Sequence, residues 1–274
     1  MRIAVIGLGL IGTSLLKALQ GKGYELIGIS RNPNTIKKAL EQNLVSEASL
    51  SYDLLRNADI IFIATPINNV CETIDKIKDA VKPKAIVADL ASVKGFVLDY
   101  VHNLNVRLNF IGLHPMAGNE NKGFDSATDT LFEGSKWAVV PSNFAEQKSV
   151  NLMSELIVQI GAKPVFTDAK SHDKAVAMVS HLPLLLSQAL FLGASDNLKK
   201  TLASSGFRDM TRLAMSNTEM ARDMVKYNRD NIQECLVSVD YAVKNLLKNY
   251  QNTDLEKIVT QRREMYSEDG KNKF

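Results

Sequence analysis

The feature that most constrains this chain is a glycine-rich loop between a short apolar strand and a helix. The strand-like run Ile3–Ile6 is followed by the loop Gly7-Leu8-Gly9-Leu10-Ile11-Gly12, and helical spacing begins at about Thr13. In this context the pattern G-x-G-x-x-G is typical of a βαβ unit that binds a dinucleotide. The first glycine permits a tight turn, the second lets the backbone approach a pyrophosphate, and the third lets the helix pack closely on the strand.

Short β-branched apolar runs recur along the first part of the chain and alternate with segments of helical length. We predict strands at Ile3–Ile6, Leu26–Ile29, Ile60–Ala64, Ala85–Ala88, Phe110–Gly112, Trp137–Val140 and Pro164–Phe166. Near-continuous apolar strands separated by helices predict βαβ units. The expected fold class is therefore α/β, with a Rossmann-type, doubly wound and mostly parallel sheet.

After about Asp168 the strand-like runs stop and the remaining chain is helical in pattern. Segregation of an α/β region from an all-α region marks a change of domain. We predict a dinucleotide-binding domain at 1–167 and a helical domain at 168–274. The segment Leu182–Leu192 is apolar on more than one side, which is typical of a helix buried in a bundle or against a partner.

Composition argues against several functional classes. The 274 residues carry a net charge of only +3, with basic and acidic residues mixed, so we expect no nucleic-acid partner. Cys71 and Cys235 lie far apart and predict free thiols, and no cluster of His, Cys and Asp has metal-ligand spacing. The sequence predicts a strand at its start, and we expect that no apolar run approaches membrane-spanning length. We therefore expect a cytoplasmic protein with no metal and no membrane contact.

The second predicted strand ends at Ser30-Arg31, where an NAD enzyme usually carries Asp or Glu for the ribose 2′-hydroxyl. A carboxylate would repel a 2′-phosphate, whereas Arg31, with Ser30 and Thr35, offers donors to it. This favours NADP; the alternative is that Arg31 only faces solvent. Thr65-Pro66 follows the third predicted strand, at the edge where ligands bind in such sheets, although the proline is equally useful as a structural stop.

Two later loops follow strand ends and carry polar side chains. One contains Ser92, and the other, after Phe110–Gly112, contains His114. Removing a hydride from an alcohol carbon requires a base for the hydroxyl proton, and His is the commonest base near neutral pH. His114 is placed for that role; the alternative is a buried structural histidine. His172 follows Ser171 at a helix start and is interpreted as part of a cap.

In the helical region Ser180 and His181 precede Pro183, which should kink or interrupt the helix. A polar pair in an apolar stretch predicts a functional site, and the alternative for His181 is a hydrogen-bonded core residue.

Arg208 and Arg212 lie four residues apart and share one face if they are helical. Two guanidinium groups beside a turn of small residues favour capture of a substrate carboxylate. The alternative for Arg208 is an ion pair with Asp209 or another carboxylate.

Taken together and in order, these motifs resemble the prephenate/arogenate dehydrogenase family of tyrosine biosynthesis. The resemblance spans about residues 1–215 and depends most on an HPMAG loop and an SGFRD-x-x-R segment. The matching segments are Gly7–Gly12, Asp89-Leu90-Ala91-Ser92-Val93-Lys94, His114-Pro115-Met116-Ala117-Gly118, Ser180-His181-Leu182-Pro183 and Ser205-Gly206-Phe207-Arg208-Asp209-Met210-Thr211-Arg212. The chain looks most like the cyanobacterial, arogenate-preferring branch, which is NADP-dependent.

The resemblance implies oxidative decarboxylation of arogenate to tyrosine with NADP, or of prephenate to 4-hydroxyphenylpyruvate. His114 matches the family's base for the ring hydroxyl, and Ser92 matches a serine near that hydroxyl. His181 matches a second active-site histidine, and Arg212 the arginine for the ring carboxylate. The resemblance also implies that the helical domain at 168–274 binds the substrate and joins two chains in a homodimer. Two alternatives remain: another two-domain Rossmann reductase of the β-hydroxyacid dehydrogenase or imine reductase type, and a cofactor-binding sensor without turnover.

Overall fold

The computed structural model describes residues 1–118 and 121–267 and is built on one central sheet. Its strands are Arg2–Ile6 (β1), Glu25–Ile29 (β2), Glu47–Ser49 (β3), Ile60–Ile63 (β4), Ile86–Asp89 (β5), Asn109–Pro115 (β6), Lys136–Pro141 (β7) and Lys163–Phe166 (β8). The strand order is β3-β2-β1-β4-β5-β6-β7-β8. All neighbouring strands are parallel except β6 and β7. The predicted fold class is confirmed.

Helices cover both faces of the sheet and then form a separate helical region. The helices against the sheet are Leu10–Leu19 (α1), Pro33–Glu41 (α2), Ile67–Ile77 (α3), Gly95–His102 (α4) and Gln147–Gln159 (α5). The later helices are Ala169–Val176 (α6), Leu182–Gly193 (α7), Asn197–Leu202 (α8), Ser205–Thr211 (α9), Thr218–Tyr227 (α10), Arg229–Asn249 (α11) and Leu255–Ser267 (α12). Successive strand residues point to opposite faces, so the sheet has two apolar layers, one built on Val5 and Phe62 and the other on Ala4 and Ile61.

Strand β6 is longer than the sequence predicted, and it carries His114 within the strand. The prediction that the strand ends at Gly112 is wrong, because Leu113, His114 and Pro115 continue the antiparallel pairing with β7. His114 lies opposite Ala138 in this register. Its backbone is therefore part of the sheet, which fixes the position from which its side chain reaches the cavity described below.

A single helical stretch, Ala169–Gly193, runs through α6 and α7. Its middle turn, Ala177–His181, is π-helical, and Pro183 stands in the first turn of α7. Proline lacks the N–H that a helix interior would bond, and a wider π turn is a common way to absorb such a defect. The predicted interruption at Pro183 thus takes the form of a π turn beside Ser180 and His181.

By length and composition alone this stretch could cross a membrane, so the expectation that no apolar run approaches that length is wrong here. Of the most apolar part of this stretch, 33% is buried inside the chain. Leu190, Phe191 and Leu192 of α7 are exposed. The core helix of a protein folded in water can be equally long and apolar, and apolar residues exposed on α7 are also expected where helices pack against a partner.

Candidate active site

A cavity of about 730 Å³ lies between the ends of the sheet strands and the helical region. Its volume falls within the range of small-molecule sites. Residues from both parts of the chain line it, among them the sequence-predicted Gly9, Leu10, Ile11, Thr65, Pro66, Ser92, His114, Ser180 and Arg212. Motifs that are widely separated in the sequence therefore meet at one place.

The geometry of the glycine loop matches the role predicted for each glycine. Gly7 has φ +96°, and a Cβ there would lie 2.7 Å from the Ala64 carbonyl oxygen. A Cβ at Gly12 would lie 2.0 Å from the Gly7 carbonyl oxygen, whereas a Cβ at Gly9 would meet no atom within 4 Å. The first and third glycines are thus required by the fold. Gly9 instead leaves open space on the cavity side.

Helix α1 begins at Leu10, earlier than predicted, and Gly9 is its N-cap residue without a side-chain hydrogen bond. The first amides of the helix therefore remain available to an anionic ligand, which the helix dipole favours. Thr65 lines the same cavity, and its buried Oγ1 has no hydrogen-bond partner in the described chain. A dinucleotide pyrophosphate fits this set of donors.

Ser30, Arg31 and Thr35 lie at the end of β2 and the start of α2. Arg31 is exposed, Ser30 and Thr35 are half-buried, and none of the three lines the cavity in the part of the chain that the structure describes. The Ser30 hydroxyl accepts the N–H of Asn32 at 3.2 Å. No carboxylate occurs among residues 30–35. This corner therefore offers hydroxyl and guanidinium groups to a ligand.

His114 is only 8% exposed, and it lines the cavity. Its Nδ1 lies 3.0 Å from Nε2 of His172, so Nε2 is the ring nitrogen that remains for a ligand. Burial first, and then the charges of His172, Lys94 and His181, hold the pKa of His114 well below its usual value. A histidine kept neutral in this way can accept a proton at neutral pH.

His172 does not cap a helix, so the prediction made from its position after Ser171 is wrong. Asp168 caps α6 instead, because its Oδ1 accepts the Ser171 N–H at 2.9 Å. His172 points into the interior, where its Nδ1 lies 2.8 Å from Asp173 Oδ1. No local sequence pattern could have indicated this, since the contact of His172 with His114 spans 58 residues.

A buried ion pair lies next to His114. The ammonium of Lys94 donates to Asp89 Oδ2 and, at 2.8 Å, to the Leu113 carbonyl oxygen. Burial lowers the pKa of Lys94 and raises that of Asp89, and their mutual attraction opposes both effects. The pair ties the loop after β5, which carries Ser92, to the strand that carries His114.

His181 is 1% exposed and does not line the cavity among the described residues, although the neighbouring Ser180 does. Its Nδ1 lies 3.1 Å from Asn228 Nδ2, and its buried Nε2 has no partner in the described chain. Burial lowers the pKa of His181 to about 4, against the opposing charge of Asp173. His181 therefore lies behind the cavity wall, close enough to His114 to affect its charge.

The two predicted arginines do not converge. Arg212 begins the 3-10 helix Arg212–Met215 and lines the cavity. Arg208 lies in α9 with its side chain 80% exposed, and its Nε is 3.7 Å from Asp209 Oδ1. Because α9 ends at Thr211 and a tighter helix follows, the expectation of one shared binding face is wrong, and Arg208 follows the ion-pair alternative.

Three charged residues line the cavity that the sequence did not single out, namely Lys122, Glu219 and Asp223. Asp223 is 7% exposed, and its Oδ2 is buried without a partner in the described chain. Burial raises the pKa of this carboxyl, while the backbone N–H of Asn68 lowers it. Glu219 and Asp223 belong to an ordinary amphipathic helix, so no sequence pattern could have separated them from surface charges.

Comparison with known families gives two matches that together extend over most of the chain. The family model described as prephenate dehydrogenase, nucleotide-binding domain, matches residues 15–166, and that described as prephenate dehydrogenase, dimerization domain, matches residues 168–264. The prephenate dehydrogenase of Bacillus subtilis is 30% identical over 240 residues, which is 84% of this chain and 65% of that protein. The chain thus spans less than two thirds of that relative's length.

Solved structures, too, match nearly the whole chain. Synechocystis arogenate dehydrogenase is 34% identical with a TM-score of 0.84, covering 98% of this chain and 99% of that one. Prephenate dehydrogenase from Aquifex aeolicus, in complex with hydroxyphenyl propionate and NAD+, is 25% identical with a TM-score of 0.85. That match covers 98% of this chain and 96% of that one.

Proposed function

The chain belongs to the prephenate dehydrogenase family, and on that premise we propose that it converts arogenate to tyrosine by NADP-dependent oxidative decarboxylation. Prephenate, which would give 4-hydroxyphenylpyruvate by the same chemistry, is the alternative substrate. One observation carries the proposal: the open face of the glycine loop, the neutral His114 and the guanidinium-bearing Arg212 line a single cavity. A dehydrogenase of a hydroxylated carboxylic acid needs these three functions together.

The chemistry assigned to the protein is proton transfer and orientation. The substrate is a cyclohexadienol whose ring carboxylate lies opposite the hydroxyl-bearing carbon. His114 accepts the hydroxyl proton at Nε2, while Ser92 orients the hydroxyl and Arg212 holds the ring carboxylate. When bound, the nicotinamide accepts the hydride from the hydroxyl-bearing carbon. The carboxylate leaves as CO2, and its bonding electrons complete the aromatic ring of the product.

Asp223 supports arogenate over prephenate. The two substrates differ in the side chain, which carries an ammonium group in arogenate and a keto oxygen in prephenate. Asp223 lines the cavity, and its buried Oδ2 has no partner in the part of the chain that the structure describes. An ammonium group would satisfy that oxygen with a charge-assisted hydrogen bond, whereas a keto oxygen would leave it unpaired and repel it. We therefore place the substrate side chain towards α10.

Ser30, Arg31 and Thr35 support NADP over NAD. They lie where the adenosine ribose is held in Rossmann folds, and the segment 30–35 has no carboxylate to bond a 2′-hydroxyl. A guanidinium and two hydroxyl groups can instead bind a 2′-phosphate. The amides at the start of α1, with Gly9, would hold the pyrophosphate.

We further propose that the domains meet at 167/168 and that two chains associate through the helical domain. The family model for a dimerization domain supports this, as do apolar side chains of α7 and α11 that one chain leaves exposed. These are Leu190, Phe191, Leu192, Val237 and Leu247. The free state of Cys71 and Cys235 agrees with a reducing, cytoplasmic location.

The proposal is tested by following the absorbance of reduced nicotinamide with the purified protein in four mixtures, each of arogenate or prephenate with NADP or NAD. Turnover mainly with arogenate and NADP is the expected result. Turnover mainly with prephenate would keep the chemistry and reject the substrate assignment. The His114→Gln protein is the control and should be slower by roughly two or more orders of magnitude. Absence of turnover by the unaltered protein in all four mixtures would reject the proposed dehydrogenase activity in favour of another Rossmann reductase or a sensor.

A further inference from the structure

We propose that His172 and Asp173 are positioning residues that fix the tautomer of His114, with the proton on Nδ1 and the lone pair on Nε2. The inference rests on the proposed function, because it concerns the base of that reaction. It starts from three buried groups joined by hydrogen bonds, of which the reaction described above uses only His114. These groups are His114, His172 and the Asp173 carboxylate.

The direction of the hydrogen bonds among the three groups is set at Asp173. Its Oδ1 accepts the Lys94 N–H at 2.8 Å, and its Oδ2 accepts the Gly95 N–H at 2.7 Å. Both carboxyl oxygens thus act as acceptors towards backbone donors. His172 Nδ1, which lies 2.8 Å from Oδ1, must therefore be the donor in its own contact with Asp173.

The direction of the contact between His172 and His114 follows from that of the contact between His172 and Asp173. A neutral imidazole that donates through Nδ1 has its lone pair on Nε2. His172 Nε2 lies 3.0 Å from His114 Nδ1, so His114 must donate there, and its own lone pair is left on Nε2. A second proton on His172 would reverse this contact and put a hydrogen on His114 Nε2, where it would block the base.

The surroundings keep His114 itself neutral. The ammonium of Lys94, which Asp89 pairs, and the ring of His181, which Asn228 holds, are among the charged or titratable groups that act on His114. The His114 ring is buried, and a second proton on it, beside Lys94, would be costly in such a site.

The hydrogen bonds of Asp173 also join the sheet region to the helical region. Asp173 lies on α6 of the helical region, whereas its amide donors belong to Lys94 and Gly95, which follow β5 of the sheet. A Cβ at Gly95 would lie 2.9 Å from Asp173 Oδ2, so the absence of a side chain there permits the approach. Asn228 of the helical region adds a hydrogen bond from its Nδ2 to the Asp173 carbonyl oxygen at 2.8 Å.

The tautomer can be read directly from nitrogen chemical shifts of the imidazole rings. The chain has only four histidines, so replacing them one at a time assigns every ring. We expect His114 of the unaltered protein to be neutral and protonated on Nδ1, and Asp173→Asn to move the proton towards Nε2. Protonation of His114 on Nε2 in the unaltered protein would overturn the proposal. The spectrum needs no substrate, so its outcome is separate from that of the turnover assay.

A matched pair of variants tests the effect on the reaction. His172→Gln keeps a strong oxygen acceptor that can reach His114 Nδ1, whereas His172→Met has similar bulk and only a weakly accepting thioether sulfur. Loss of an orienting partner typically costs about 10- to 100-fold in activity. We expect His172→Met to lose that much in kcat with little change in KM, and His172→Gln to recover most of it.

A control variant and a comparison with thermal stability decide whether His172 positions His114 or only stabilises the fold. His102→Gln, a change at an exposed histidine, should leave kcat and the His114 signals unchanged. If both His172 variants lose activity in proportion to their loss of thermal stability, with the Nδ1 proton of His114 retained, the role is structural and the proposal is wrong. If a variant does not fold, the spectrum of the unaltered protein still decides the tautomer.

Discussion

Arg212 lines the cavity, whereas Arg208, one helical turn earlier, lies 3.7 Å from Asp209 Oδ1 on the exposed side of α9. The change from α9 to a 3-10 helix at Arg212 separates the two guanidinium groups. Only one of them can therefore contact a ligand in the cavity, and the other provides a control for it.

We predict that Arg212→Gln lowers kcat/KM for arogenate by roughly 10- to 100-fold, since a hydrogen bond to a charged group is worth about 1.5–3 kcal/mol. Arg208→Gln should change it by no more than about twofold, because an exposed ion pair contributes little. Steady-state kinetics of the two proteins checks this. Equal losses in both would show that the guanidinium groups act together.

With His114 as the proposed base, the pH profile of kcat/KM should report its charge in the free enzyme. Because burial is the main cause that lowers its pKa, the neutral base should persist as the pH falls below 6.5. We expect kcat/KM to stay flat through neutral pH and to decline only well below pH 6.5. The same profile for Asp223→Asn distinguishes the titration of His114 from that of Asp223. A fall in kcat/KM on the acid side that is centred at or above pH 6.5 would contradict the prediction.

Asp223 should control the choice between the two substrates. Asp223→Asn removes the charge but keeps the size, so kcat/KM for arogenate should fall by about tenfold or more while that for prephenate is unchanged or higher. Glu219→Gln is the matched control, because Glu219 lines the same cavity but is exposed. Loss with both substrates alike in Asp223→Asn would assign the residue to stability instead.

Arg31 should matter for NADP alone. We expect Arg31→Gln to raise KM for NADP by about tenfold, the loss of one charge-assisted hydrogen bond, with KM for NAD nearly unchanged. Lys37→Gln, at an exposed position of α2 where Lys37 pairs with Glu41, is the control. A parallel rise for both cofactors would mean that Arg31 contributes to the fold of this corner and not to the phosphate.

His181 should make the folded state sensitive to acid. Its pKa falls from 6.5 to about 4 on burial, so the unfolded chain binds the extra proton between these values. Stability is therefore complete above pH 6.5 and is lost as the pH falls towards 4, by up to roughly 3 kcal/mol.

Urea unfolding between about pH 7.5 and 4.5, at fixed protein concentration, measures this loss. His181→Asn should flatten the slope in part, since His114 also has a lowered pKa. His102→Gln should not change the slope. An identical slope in His181→Asn would show that another group is responsible.

The parts of the fold that were predictable from the sequence are those with a local pattern. Apolar strands buried on both faces, and glycines that the backbone geometry requires, appear where the sequence predicted them. Glu47–Ser49 was missed because a three-residue edge strand has no apolar run. The end of β6 was missed because its pairing depends on β7, more than twenty residues later.

The site was predictable only where chemistry and a motif coincide. His114, Ser92 and Arg212 follow from their motifs, and the structure brings all three to the cavity. His172 and Asp223 were missed because their importance arises from neighbours that are distant in the sequence. Charged residues on a helix look alike until the fold shows which of them lose contact with water.

The cavity takes its cofactor loop from one part of the chain and Arg212 and Asp223 from the other. Arg31 lies apart from both, outside the described lining of the cavity. In the function we propose, cofactor choice and substrate choice thus depend on separate residues. Evolution could therefore exchange one cofactor for another, or one side-chain preference for another, through a few substitutions in one part of the gene without re-optimising the other.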